Sequence, residues 1–316
     1  MTTRTVEHPP DTHAPAPDTH RRRSGGRRRE ALAAYGFALP FLALFLVFML
    51  GPVVASFAMS FTDLRSSDVR NPLSVEVVGL ENYTKLLSDE TFHKAAFNTA
   101  YFVIIGVPLT MMLALAVAVG LNSGITRFTA FFRVGYYLPV VTSIIAVAVV
   151  WRFLLEPESG IVNTLLGYVG VDGPSWLNDQ TWAMPALIVM SAWRNMGYLV
   201  IIFLAGLQGV PTEMHEAAAI DGAGAWGRFR HMTLPMMRPT LLFGAVVTMI
   251  GYLQFFEEPF VMTQGGPLDS TLSTAYYTYN QFGFGNYSYA AAMAYVLFVV
   301  IAIVTAVQFR LLGDRD

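Results

Sequence analysis

AAFNTAYFVIIGVPLTMMLALAVAVGLNSGIT, residues 95–126, runs through 32 positions without one charged side chain. A bilayer crossing needs about 20 predominantly apolar residues, so this stretch is long enough to span. Similar uncharged runs stand on either side of it. Ala31–Thr62 precedes it, with Pro40 and Gly51-Pro52 inside, and Val134–Trp151 follows. Thr181–Thr212 is interrupted only by Arg194, Pro239–Phe256 is shorter, and Ala290–Phe309 comes last. Six spans are expected. The composition agrees: 54% hydrophobic and 13% charged over 316 residues, against roughly 45–50% and about 25% in soluble domains. Residues 1–30 alone hold 11 of the 42 charges, which leaves too few elsewhere to hydrate a soluble surface. An ordinary cytosolic enzyme, a disordered chain and a disulfide scaffold are excluded, the last also because cysteine is absent.

Lipid-exposed backbone must satisfy its own hydrogen bonds, so solid apolar runs imply an all-α integral membrane protein. A β-barrel would alternate over segments of about ten residues, and these runs do not alternate. Of the 20 Lys and Arg, 14 fall in the N-terminal tail, in connections 122–133 and 211–238, and at the C-terminus. By the positive-inside rule those parts are cytoplasmic, and both termini with them. Residues 1–30, rich in Pro, Thr and His and then in Arg21–Arg23 and Arg27–Arg29, read as a disordered basic cytoplasmic tail. Residues 31–316 form the membrane domain. The first apolar run is far longer than a signal-peptide core. A net charge of −2 gives no basic bias toward nucleic acid.

One connection stands apart. At 211–238 the chain reads Glu216-Ala217-Ala218-Ala219-Ile220-Asp221-Gly222-Ala223, then Trp226, Phe229, Leu234-Pro235 and Pro239. Two short helices are predicted. Pro211-Thr212 would cap the first, the alanines favour it, and Gly222 would stop it in a left-handed turn. A second amphipathic piece, about Trp226–Met232, is expected to end before Leu234-Pro235. Such a pair at a membrane surface suits docking of a soluble partner. An interfacial re-entry helix with no partner is the plainer alternative.

That string resembles the EAA loop of binding-protein-dependent ABC importers, which runs E-A-A, three residues to a Gly, then a hydrophobic residue and L-P. Glu216, Ala217, Ala218, Asp221, Gly222, Ala223, Phe229, Leu234 and Pro235 fit it. Gly79-Leu80-Glu81-Asn82-Tyr83, Tyr136-Tyr137-Leu138-Pro139, Ala205-Gly206-Leu207-Gln208 and Met262–Pro267 are similar to the carbohydrate-uptake, maltose-type branch. The resemblance covers roughly residues 35–312. It implies the type I ABC importer permease fold in a bacterial plasma membrane. It also implies a second permease subunit, two cytoplasmic ATPases that each grip one EAA loop and bind ATP and Mg, and an extracytoplasmic sugar-binding protein, soluble or a lipoprotein. The chain carries no G-x-x-x-x-G-K-[ST] loop, so no cofactor or nucleotide chemistry is expected of it.

Arg194 sits mid-way along the fourth span, where an arginine costs about 2.5–3.5 kcal/mol on insertion scales and faces a bundle interior or a wet cavity. Ser191, Arg194, Asn195 and Tyr198 recur at three- and four-residue steps and share a face. The resemblance makes this segment a source of sugar contacts; pairing with an acid, or snorkelling, is the structural alternative. Tyr252, Gln254, Glu257 and Glu258 close the fifth span with aromatic faces and acceptors that suit a sugar. The glutamates could equally be exposed loop charges or salt partners of Arg194 or Arg152. This stretch departs from the asparagine-rich maltose pattern, which points away from maltose itself. Adjacent Glu257 and Glu258 do not face one another, so a glycosidase pair is not expected. The six histidines show no zinc spacing, and no catalytic residue is assigned. The fifteen methionines read as core. The function read from all this is the permease subunit of a sugar importer. Its alternatives are a permease for an anionic polyol such as glycerol 3-phosphate, with Arg194 as anchor, or a stand-alone secondary carrier. A membrane-embedded enzyme lacks its motif.

Overall fold

The computed structural model describes residues 24–70, 75–123 and 129–312, and among these no β-sheet forms. Most of the expected N-terminal tail lies outside the described residues; its last seven, 24–30, open the first helix. Two units are described separately, residues 1–55 and 56–316.

The first unit contains α1 (Ser24–Phe45), a widened turn at Leu46–Leu50, and the start of α2 (Gly51–Met59). The widening has a cause. Pro52 cannot donate to the carbonyl four residues back and its ring crowds it, so the preceding residue reaches one further, Gly51 N–H to Leu46 O. Glu30–Met59 is thereby one apolar helix of 30 residues.

The second unit is built on α4 (Glu90–Asn122) and α8 (Ala183–Gln208), both apolar enough to cross a membrane, and on α15 (Tyr287–Leu312), which is likewise. Ahead of α4 lies the short α3 (Glu81–Leu86). α4 packs most extensively on α8, through Ala114, Ala118, Leu199, Phe203, Leu207 and Met237 on one side of the contact. Phe102, Val107, Leu187, Met190, Tyr252 and Phe255 fill the other. Phe102 and Phe255 stack with ring centres 3.9 Å apart, and the Thr110 and Tyr252 hydroxyls meet at 2.8 Å.

The third expected span is not a straight helix. α5 (Thr129–Val141) and α6 (Ile144–Leu154) meet at 106°. The Thr142 hydroxyl bonds back to Leu138 O at 2.8 Å, and Ser143 turns extended (φ −53°, ψ 129°) to begin α6. Beyond it come α7 (Ile161–Tyr168), α9 (Thr212–Ile220), α10 (Ala225–Arg228) and α11 (Leu234–Met236), then α12 (Arg238–Leu253), α13 (Glu257–Met262) and α14 (Thr274–Gly283). Residues 225–236 and α12 form a second bent pair, at 68°. Among the described residues four helices are long and apolar enough to cross a membrane, and counting each bent pair as one span gives up to six, the number expected.

Candidate functional site

α8 and the end of α12 enclose a cavity of about 270 Å³. Arg194, Asn195 and Tyr198 line it from α8, Thr248, Gly251 and Tyr252 from α12, and Gln254, Glu257 and Glu258 from the turn into α13. Val140 of α5 joins them. α5 comes this near because residue 197 is glycine: a Cβ there would collide with the Tyr136 carbonyl oxygen. The Arg194 guanidinium donates to Asn195 Oδ1 at 3.2 Å and to the Val140 and Thr142 carbonyls at 3.5 Å each. These carbonyls end α5, where the break at Ser143 leaves helix acceptors to be satisfied from outside. Arg194 Nε is buried with no partner among the described residues. Across the cavity Glu258 is 5% exposed; its Oε1 accepts from Ser191 Oγ at 3.0 Å, and its Oε2 has no partner among the described residues. Buried polar atoms are normally satisfied, so two unpaired groups in the cavity wall mark it as a place where polar side chains are held ready rather than spent on the fold.

The second site is the loop after α8. Thr212 is the first residue of α9, and Pro211 precedes it with no side-chain hydrogen bond, so the expected cap is not made. The other end follows expectation. Gly222 has φ +80°, its N–H bonds Ala219 O at 3.1 Å, and the Ala223 N–H bonds Ala218 O at 2.9 Å. These paired bonds are the Schellman closure. The next helix does not end before Leu234-Pro235 as expected. Leu234 N–H reaches Phe229 O, five residues back, and the helix continues to Met236. This is the Gly51-Pro52 device again. Arg228 Nη1 donates to His215 O at 3.4 Å and ties the two helices together. Glu216, Ala217, Asp221 and Gly222 are exposed, with Ile220 and Trp226 at 87% and 70%; Ala218, Ala223, Phe229, Leu234 and Pro235 are half-buried.

Residues 22–315 match the family described as binding-protein-dependent transport system inner membrane component. The chain belongs to that family. The permease is 35% identical over 299 residues to the lactose transport system permease protein LacF of Rhizobium radiobacter, covering 93% of this chain and 98% of that one. It is 34% identical over 285 residues to the arabinooligosaccharides transport system permease protein AraP of Bacillus subtilis, 89% of each. Its fold is that of a chain in the bacterial alginate ABC transporter crystallised with a pentasaccharide-bound periplasmic protein: TM-score 0.76, 23% identity, 91% of this chain and 96% of that one. It is thus a multi-pass membrane subunit of ABC transporter type, not an enzyme.

In the permease, seven of the eight residues singled out for the pathway line the one cavity, and the eighth, Ser191, holds Glu258 in its wall. Among the described residues Arg194 bonds an amide and two carbonyls rather than a carboxylate, unlike the structural alternative. Glu257 is exposed while Glu258 is buried, so the two acids part company as adjacent helical residues do. Sequence reasoning missed Val140 and the Thr142 carbonyl. Their signal was Pro139 followed by Thr142-Ser143, a site where a helix can break. It also missed Asp89, which caps α4 through Phe92 N–H and accepts from the Tyr277 and Tyr289 hydroxyls at 2.8 and 2.6 Å. Burial pushes that carboxyl up, but the two tyrosines and the Phe92 and Thr91 amides outweigh it and hold it below its ordinary value.

Proposed function

We propose that this permease is one half of the pathway of an ATP-driven importer of neutral mono- or oligosaccharides in a bacterial plasma membrane, with both termini cytoplasmic. The single observation that carries the substrate is the cavity between α8 and α12. It sets the polar side chains of Arg194, Asn195, Gln254 and Glu257 beside the rings of Tyr198 and Tyr252. A sugar presents hydroxyls that both donate and accept around an apolar ring face, and it answers both kinds of lining. The lactose and arabinooligosaccharide relatives support the same class. Glu257 and Glu258 would repel an entering phosphate, which disfavours glycerol 3-phosphate. A second permease, encoded as a different chain, completes the pathway, and an external sugar-binding protein loads it. Two cytoplasmic ATPases bind the ATP and Mg and dock on Glu216–Ala223 and the helix after it. The exposed Ile220 beside Glu216 and Asp221 gives that loop a mixed apolar and acidic docking face.

The test is uptake of radiolabelled lactose, arabinooligosaccharide and glycerol 3-phosphate by the assembled transporter, with Arg194→Gln alongside. A neutral sugar loses about one hydrogen bond in the variant, roughly 0.5–1.5 kcal/mol or about 2- to 13-fold in affinity, and transport persists. Strict dependence on a phosphate group, with complete loss in Arg194→Gln, overturns the reading.

A further inference from the structure

Beside the coupling loop lies an apolar trough of about 490 Å³ that the transport reading does not use. Met112, Leu115, Ala116 and Val119 of α4 form one wall, and Ala225, Trp226 and Phe229 the other. A second cavity, of about 340 Å³, shares Val119, Ala225 and Phe229 with it. Its remaining lining is largely polar: Asn122, Ser123, His215, Arg228 and Thr233. The two together make an elongated site that is greasy at one end and cationic at the other.

Depth identifies the occupant. The uncharged run 95–126 is centred near residue 110, and the hydrocarbon core takes about 20 residues of helix, so Met112 to Val119 lie within it. Met112 is about 15 Å along the helix from Asn122, further inside than a soluble subunit reaches. On that count the polar end, at Asn122 and Ser123, lies where α4 leaves the hydrocarbon, and Trp226, 70% exposed on the trough wall, suits a headgroup level. Charge is segregated along the loop: Glu213, Glu216 and Asp221 are on or just after α9, while Arg228, Arg230 and His231 follow in the second helix. The acidic half suits a protein partner and the basic half an anionic surface.

We infer that this trough holds one anionic phospholipid of the cytoplasmic leaflet, its acyl chain along Met112–Val119 and its phosphate at Arg228. The bound lipid ties the second coupling helix to α4 from the membrane side. The inference stands apart from the identity of the transported sugar.

The experiment is photocrosslinking in nanodiscs that contain the assembled transporter, with phosphatidylglycerol or phosphatidylcholine carrying a diazirine on matched acyl chains, and peptide mapping of the adducts. Adducts on the peptide containing Met112–Val119 should favour phosphatidylglycerol about fivefold, the preference one basic residue confers near a surface. Arg228→Gln should abolish the preference. Ala116→Trp, a change on an exposed face of α4 outside the loop sequence, should abolish the adducts with either lipid by filling the trough. Equal labelling by the two lipids overturns the inference, as does undiminished labelling in Ala116→Trp. Sugar uptake is not the readout, so failure here leaves the transport reading intact, and the reverse.

Discussion

Gly222 offers a clean perturbation because only its backbone is constrained. Its φ is +80°, yet a Cβ built there would meet no atom within 4 Å. Replacing it by alanine therefore introduces no clash, only the cost of holding an L-residue in the left-handed region, roughly 1–2 kcal/mol. That cost falls on one local closure, the bonds Gly222 N–H to Ala219 O and Ala223 N–H to Ala218 O. The closed turn should lose about 5- to 30-fold in population relative to its frayed forms. Hydrogen exchange at the Ala223 amide, followed by mass spectrometry in the assembled transporter, reads this directly. Exchange should accelerate by about that factor in Gly222→Ala, less in Gly222→Asn, and most in Gly222→Val, whose branched side chain tolerates positive φ worst. Sugar uptake should fall in the same order, because the turn sets the angle between α9, which carries Glu216, and the helix that follows. Unchanged protection of Ala223 in Gly222→Ala would refute the turn argument. A loss of uptake without faster exchange would place the effect on the docking face instead.

Other consequences are equally direct. Ser191→Ala removes a side-chain hydrogen bond to the buried Glu258 carboxyl and should cost about 1–3 kcal/mol, seen as a lower thermal midpoint in detergent; Ser191→Ala combined with Glu258→Met should recover most of it. Gly197→Ala sets a methyl against the Tyr136 carbonyl and should cost about 1–3 kcal/mol by overpacking, and a wild-type midpoint would contradict the close approach of α5 to α8. Asp89 has a folded pKa below its unfolded value near 4, so its contribution is whole above that value and is lost as pH falls through the folded pKa. Thermal midpoints from pH 7 to pH 3 should therefore drop more for the wild type than for Asp89→Asn, and parallel curves would exclude the tyrosine tether as a stabilising contact.

The sequence made the spans legible because charge is so costly in hydrocarbon that its absence marks them unaided. The pathway residues were legible for a related reason: Arg194 had to face something wet, and the helical repeat carried Ser191, Asn195 and Tyr198 to the same side. Gly222 was readable because few other residues sit at positive φ. The breaks were harder. Pro139 lies inside α5 without ending it, and the bend comes three residues later, where the Thr142 hydroxyl competes for a backbone acceptor. Pro235 was read as a stop, yet a turn widened by one residue let the helix pass it. In both places local chemistry permits two outcomes, and packing against α8 or α4 selects one. The Asp89 cluster joins residues 188 and 200 positions apart, a distance no periodicity spans.

The 33 residues of α4 have one further consequence. At about 1.5 Å each they make a rod of roughly 50 Å, which passes through every working part of the subunit. Near its N-terminal end Lys94 and Asn98 grasp the carbonyls of Leu268, Asp269 and Leu272. Midway Phe102 and Thr110 brace Phe255 and Tyr252 in the cavity wall, and at the C-terminal end Val119 and Asn122 lie beside Ala225, Arg228 and Phe229. Hydrogen-bonded turns do not telescope. The spacing between the 268–272 segment and the loop after α8 is therefore held at the length of this rod, and a change of angle between them falls to tilting it, rolling α8 across it, or flexing it at Pro108.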